Sequence, residues 1–184
     1  MRKQFITWLF HRSQRFYTQY FKRNTPWPLT VTDLLRYPNG SLGHRLGLFL
    51  HRSQFHLLPK VEHHDIYHLL SGIGTEVESE IALQYFLLGN GKRSPYLIGS
   101  ILVGSLLLPE YGARYVKSYY RGRRANQLYH IDFLPLLTSD FQSLRSSLLP
   151  NSSEQRSHER KPLLKTFLEA PLRKLRHVCC HLSL

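Results

Sequence analysis

A chain of 184 residues, 42% of them hydrophobic, can bury one good core and is short for a second domain. Its net charge of +13 points to an anionic partner such as a phospholipid surface or a nucleic acid. The only two cysteines, Cys179 and Cys180, are adjacent, which excludes a disulfide-stapled scaffold and fits a reducing compartment. The longest apolar run, 96–108, falls short of the roughly 20 residues of a membrane-spanning helix, and no secretory signal with a small-residue cleavage site is visible.

Residues 1–28 read as a basic amphipathic helix. Arg2, Lys3, Arg12, Arg15, Lys22 and Arg23 all precede the first acid, Asp33, while Phe5, Ile6, Leu9, Phe10, Phe16, Tyr17, Tyr20 and Phe21 form one stripe. Three roles suit it: a membrane-surface helix on anionic lipid, a removable organelle-targeting peptide, or a helix that docks its stripe on the core. The aromatic content favours the interface, where rings sit at headgroup level. Pro26-Trp27-Pro28 ends the helix.

A helical domain over 29–149 follows. The pattern predicts a short helical turn at 32–37, a tight turn at Pro38-Asn39-Gly40, and a helix capped by Ser41 that carries Leu42, Leu46, Phe49 and Leu50 to about His51. His44 and His51 share a face of that helix without a nearby acid in sequence, and read as surface or satisfied core residues.

The stretch 62–90 carries the chemistry. On a helix, His64 and His68 lie on one face, with Asp65 at i+3 to His68. Gly72 and Gly74 break that helix, and Thr75 with Glu78 makes a capping box for the next, so the chain reverses and returns Glu80 towards the imidazoles. No Lys or Arg falls between residues 61 and 90, although the chain has 25, while Glu62, Asp65, Glu76, Glu78 and Glu80 all do. Glu76 and Glu78 suit the first turn of a helix on dipole grounds alone. Two imidazoles and two carboxylates, His64, Asp65, His68 and Glu80, suit zinc, with iron or manganese as alternatives. The competing reading is two ordinary histidines, since such pairs arise by chance among 11.

Residues 81–88 are apolar nearly all round, the mark of a central helix, closed by Gly89-Asn90-Gly91. Ser94 and Pro95 start a helix over 96–108, thinned by Gly99 and Gly104, which reads as a buried core helix with one face able to wall a slot for a polyprenyl chain. After Pro109, Tyr111, Tyr115 and Tyr119 form one face of an amphipathic helix that Gly122 can end. Arg121, Arg123 and Arg124 could contact a lipid headgroup, a carboxylate or RNA phosphates; with no binding motif beside them, nucleic acid is not expected. A last helix over 132–149 carries Phe133, Leu137, Phe141, Leu144 and Leu148 as its stripe. Residues 150–162 read as a linker and 163–184 as an amphipathic tail, for membrane or partner or poorly ordered, with Cys179 and Cys180 more readily inert than acylated. The fold class is therefore all-α, a single-domain helical bundle behind a basic amphipathic N-terminal helix.

His64-Asp65-Ile66-Tyr67-His68, eleven residues, then Glu80 resembles the H-D-x-x-H-(x11)-E signature of the coenzyme Q biosynthesis protein four family, in which those four side chains ligate zinc. Pro38-Asn39-Gly40-Ser41-Leu42-Gly43 is similar to that family's upstream P-x-G-S-x-G segment, and the likeness spans about 37–149. The resemblance implies an all-helical, membrane-peripheral protein, on the cytoplasmic face of a bacterial inner membrane or the matrix side of a mitochondrial one. It implies removal of the ring C1 carboxylate from a polyprenylated hydroxybenzoate, a carboxy-lyase of the 4-hydroxy-3-methoxy-5-polyprenylbenzoate decarboxylase type. In that reading His64, Asp65, His68 and Glu80 act through the metal, and the other ubiquinone-biosynthesis proteins and a prenyl lipid are partners, with self-association open.

Two other classes compete. A non-enzymatic prenyl-lipid-binding scaffold would use the zinc to tie two helices together. A phosphohydrolase of the His-Asp helical type would need an upstream histidine, His51 or His56, and a downstream Asp132, and leaves Glu80 unexplained.

Overall fold

The structure, a computed structural model, describes residues 25–149 together with Arg2, Gln4, Phe5, Ile6, Trp8 and Arg12. The greater part of the basic aromatic stripe, the 150–162 linker, the 163–184 tail and the cysteine pair lie outside the described residues. Of the stripe, Ile6 is fully buried in the core while Phe5 is exposed, and Arg2 pairs with Glu110 at 2.7 Å.

The described residues are all-α, as expected. Helix α1, Val31–Leu35, begins one residue earlier than the pattern predicts, because Thr30 and Asp33 form a reciprocal capping box. Helix α2, Leu42–Arg52, starts on the predicted Ser41 cap. Helix α3, Glu62–Ser71, ends at Gly72, whose φ of +67° is a left-handed stop that glycine adopts freely. Helix α4 is Val77–Gly89 and helix α5 is Pro95–Leu107, the latter capped by Ser94 with Pro95 in its first turn. Helix α6 is Gly112–Arg124 and helix α7 is Phe141–Leu148.

Three local expectations are corrected. The Thr75–Glu78 box does not form: α4 starts after Glu76, whose carboxylate accepts from the Ser79 hydroxyl at 2.8 Å. Gly122 does not end α6; it lies inside the helix, where a Cβ would run into the Phe86 carbonyl, and the neighbouring Gly89 of α4 faces the Tyr119 carbonyl in the same way. These two glycines let α4 and α6 touch backbone to backbone, the closest helix pairing in the molecule. The helix predicted over 132–149 is broken into a 3-10 turn, Leu134–Leu136, and α7. Tertiary pairing wins there: Leu42 and Gly43 donate to the carbonyls of Ser139 and Leu137, and Phe141 donates to that of Gly40. The Pro38–Gly43 segment thus clips the start of α2 to the start of α7, while Phe133, Leu137, Phe141 and Leu148 still face the core.

Helix α4 is central, with Ile81, Ala82, Leu83, Phe86 and Leu87 buried. Asn90 locks its end: the side-chain amide donates to the carbonyls of Gly122 and Asn126, and Oδ1 accepts from Leu128 N–H at 3.0 Å. Helix α5 differs from the core helix its sequence suggested. Leu97, Ser100, Ile101 and Gly104 pack inward, Gly104 directly beneath Ile81, but Leu102 is 65% exposed and Leu106 80%. No single helix among the described residues is long and apolar enough to cross a membrane.

Candidate metal centre

The site begins with the reversal between α3 and α4. Long side chains from the two helices meet there. Glu80, in the first turn of α4, presents Oε2 to His64 Nε2 at 3.1 Å and Oε1 to His68 Nε2 at 3.0 Å. The two Nε2 atoms are themselves 3.1 Å apart. The second nitrogen of His68, Nδ1, donates to the Ile73 carbonyl at 3.0 Å, which fixes the tautomer and leaves the Nε2 lone pair directed at the centre. Phe49 of α2 stacks on the His68 ring, whose centroid lies 6.5 Å away.

The electrostatics follow from this closeness. Burial pushes His64 below its ordinary value, against the pull of Glu80. For His68 burial works in the same sense but is outweighed by the hydrogen bond and charge of Glu80, the Ile73 carbonyl and Asp65, so its value rises. Burial opposes the charge on Glu80 too, yet the two imidazoles hold its carboxyl well below the usual range. The centre is thus a carboxylate, a neutral imidazole and a second imidazole that attracts a proton.

Three such donors placed together can share one cation. Bonds of about 2.0–2.1 Å to a tetrahedral zinc put neighbouring donors about 3.3 Å apart, close to the spacing already present. The residues therefore fit a divalent ion, with His64, His68 and Glu80 as its holders, their ligand atoms within 4.8 Å of one another. Asp65, expected as a fourth ligand, is not in that group; it reaches the site through its charge on His68. Three protein donors match the ligand count of centres that keep one position open.

The set required by the phosphohydrolase reading does not assemble. His51 and His56 are exposed and outside the group, and Asp132 faces His63, at 3.9 Å, instead of His64. The sequence reading also missed a supporting residue. Glu62 is buried, and its Oε1 accepts from the backbone N–H of Trp27 at 3.0 Å and Lys60 at 3.1 Å, so it fixes the chain entering α3. Its place in the acidic run hid this role, and the Ile73 carbonyl left no mark in sequence at all.

Comparison with known proteins gives the same direction. The sequence pattern of the coenzyme Q (ubiquinone) biosynthesis protein Coq4 family matches residues 57–151, more than half of the chain, and includes every ligand-spaced residue named above. The Pro38–Gly43 segment lies outside that match. A crystal structure of a proposed ubiquinone biosynthesis protein from Nostoc punctiforme is similar over 83% of this chain and 83% of its own, with a TM-score of 0.58 and 21% identity, a likeness of fold. No curated protein matches the sequence. The ligand spacing, the converging donors and the length of the match together assign the chain to the Coq4 family of coenzyme Q (ubiquinone) biosynthesis proteins, and with it to a role in ubiquinone biosynthesis.

Proposed function

We propose that the protein performs metal-dependent C1 decarboxylation of a polyprenylated hydroxybenzoate at a membrane surface, and organises other ubiquinone-biosynthesis proteins there. The observation that carries this reading is the convergence of His64, His68 and Glu80, three donors as in centres that bind substrate at the metal. A divalent ion held by them supplies Lewis acidity to the substrate carboxylate or ring oxygen. His68, anchored by the Ile73 carbonyl and backed by Phe49, holds the geometry of the centre. Asp65, whose charge reaches His68, would supply a proton: as the bond from C1 to the carboxylate breaks and carbon dioxide leaves, the ring carbon takes that proton. Zinc, iron and manganese all suit the donors.

The polyprenyl tail has a natural counterpart in the outer face of α5, where Ile98, Leu102, Val103 and Leu106 stand exposed. An apolar face of this kind suits a prenyl chain or a bilayer. The net charge of +13 suits anionic lipid on the same side of a bacterial or mitochondrial inner membrane as the pathway. The test is release of labelled carbon dioxide from a ring-carboxylate-labelled prenyl hydroxybenzoate by metal-loaded protein. His68→Ala is expected to abolish release, and equal release by both proteins would overturn the reading.

One observation favours a second function. His68 is almost wholly buried and the three donors bridge two helices, which also suits a structural ion in a prenyl-lipid-binding scaffold. Chelation separates the two: a structural ion takes the helical signal with it, a catalytic one leaves the fold in place.

A further inference from the structure

The arginines of α6 have no part in the metal centre, and the structure separates them. Arg121 donates from Nη2 to the Ser71 carbonyl at 2.7 Å, and Arg145 of α7 donates from Nε to the Leu70 carbonyl at 2.9 Å. Two consecutive carbonyls at the C-terminal end of α3 are thus capped by guanidiniums arriving from two other helices, where the helix dipole favours positive charge. The dipole accounts for one cation at this end more easily than for two. Burial, and then the charge of Arg145, hold the Arg121 ionisation below its ordinary value, so the two guanidiniums work against each other. Among the described residues no ion pair involves either of them.

Each guanidinium has five N–H donors in a planar fork, and these main-chain contacts engage one on each, which pins the forks without exhausting them. The chain beside them is Gly72, exposed, where an added Cβ would come 3.6 Å from Arg145 Nη2. A glycine there leaves the approach to the forks open.

We propose that Arg121 and Arg145 form an oxyanion site for a phosphate monoester. Two fixed positive charges match a dianion where a lone carboxylate would leave one uncompensated, and planar forks match phosphate oxygens in pairs. The site stands whether or not the metal centre holds an ion. The phosphate can belong to a soluble molecule or to a lipid headgroup, and the experiment separates them.

The wild-type full chain is treated with the arginine reagent butanedione, and modification of each arginine is followed by mass spectrometry. The arms are inorganic phosphate, sodium chloride at equal ionic strength, phosphatidylcholine vesicles, and vesicles of phosphatidylcholine with phosphatidic acid. At about ten times the Kd of the ligand, modification of Arg121 and Arg145 slows about tenfold while Arg123 is unaffected. Protection by inorganic phosphate assigns a soluble phosphate; protection only by phosphatidic acid vesicles assigns a headgroup. The proposal fails if neither arm protects the pair beyond its control, or if Arg123 is protected as strongly.

Discussion

Helix α4 meets its neighbours in two opposite ways. At its C-terminal half it touches α6 directly, Gly89 against the Tyr119 carbonyl and Gly122 against that of Phe86, with Asn90 bolting the pair. At its N-terminal half it is tied to α3 by Glu80 and the two imidazoles. The first contact is packing with no space for anything else. The second sets three donor atoms at spacings that a shared divalent ion would fit. The rigid half lets the open half keep its geometry, since a centre tolerates little misplacement of its donors.

Breaking the packed half should have the largest effect. Gly122→Val drives side-chain atoms into the α4 backbone, a clash that nothing nearby can yield to, and is expected to cost about 3 kcal/mol or more. Chemical denaturation measures it, and a change below about 1 kcal/mol would mean that the two helices do not meet as described. On the open half, Asp65→Asn removes a charge that supports His68 without removing a donor. Metal affinity should drop about tenfold, as for other groups that tune a ligand, with little change in fold.

The pH dependence sharpens the contrast. In metal-free protein, Glu80 lies below its ordinary value of 4.5, so its contribution is present above that pH and lost as pH falls through the lower folded value. His68 lies above its ordinary value of 6.5, so its contribution is complete below 6.5 and lost as pH rises through the folded value. His64, lowered by burial, resists protonation in the folded state and adds to the loss on the acid side. Metal-free protein should therefore lose stability as pH rises past the His68 value, whereas metal, which replaces that proton, should stabilise more as pH rises. Thermal melts of Glu80→Gln across the same range should lose the His68 limb and the Glu80 part of the acid limb, leaving the part due to His64; a profile identical to wild type would contradict the coupling. The smallest expected effect is on α5, whose outer face adds no packing. Ser94→Ala removes its N-cap and should cost about 1 kcal/mol in denaturant unfolding, with the metal site untouched.

The open half was largely legible in sequence because its chemistry is local. His64, His68 and Glu80 are set by helical spacing and one reversal, and Gly72 marks the stop where its left-handed backbone shows it must. Asp65 was drawn into the ligand set by its helical position and by the family signature, while the donor atoms that converge among the described residues are those of His64, His68 and Glu80. The packed half was less legible. Gly122 signals a helix end by composition, and only the proximity of Phe86, 36 positions earlier, reveals it as a contact residue. The run 132–149 has helical periodicity throughout, but its break is decided by pairing with residues 40–43, which lie almost a hundred positions away. Helix α5 reads as core because apolar residues lie on every side of it, and burial of one side only is a property of its neighbours.

The central claim is that α3 and α4 are joined by a shared divalent ion. Its most direct test is elemental analysis of the purified chain beside Glu80→Ala, with circular dichroism on both. The account predicts close to one transition-metal ion per chain in the native protein, loss of that ion in Glu80→Ala, and a helical signal retained through the α4–α6 contact. Equal metal content in the two proteins, or none in either after growth with zinc, iron and manganese supplied, would contradict it.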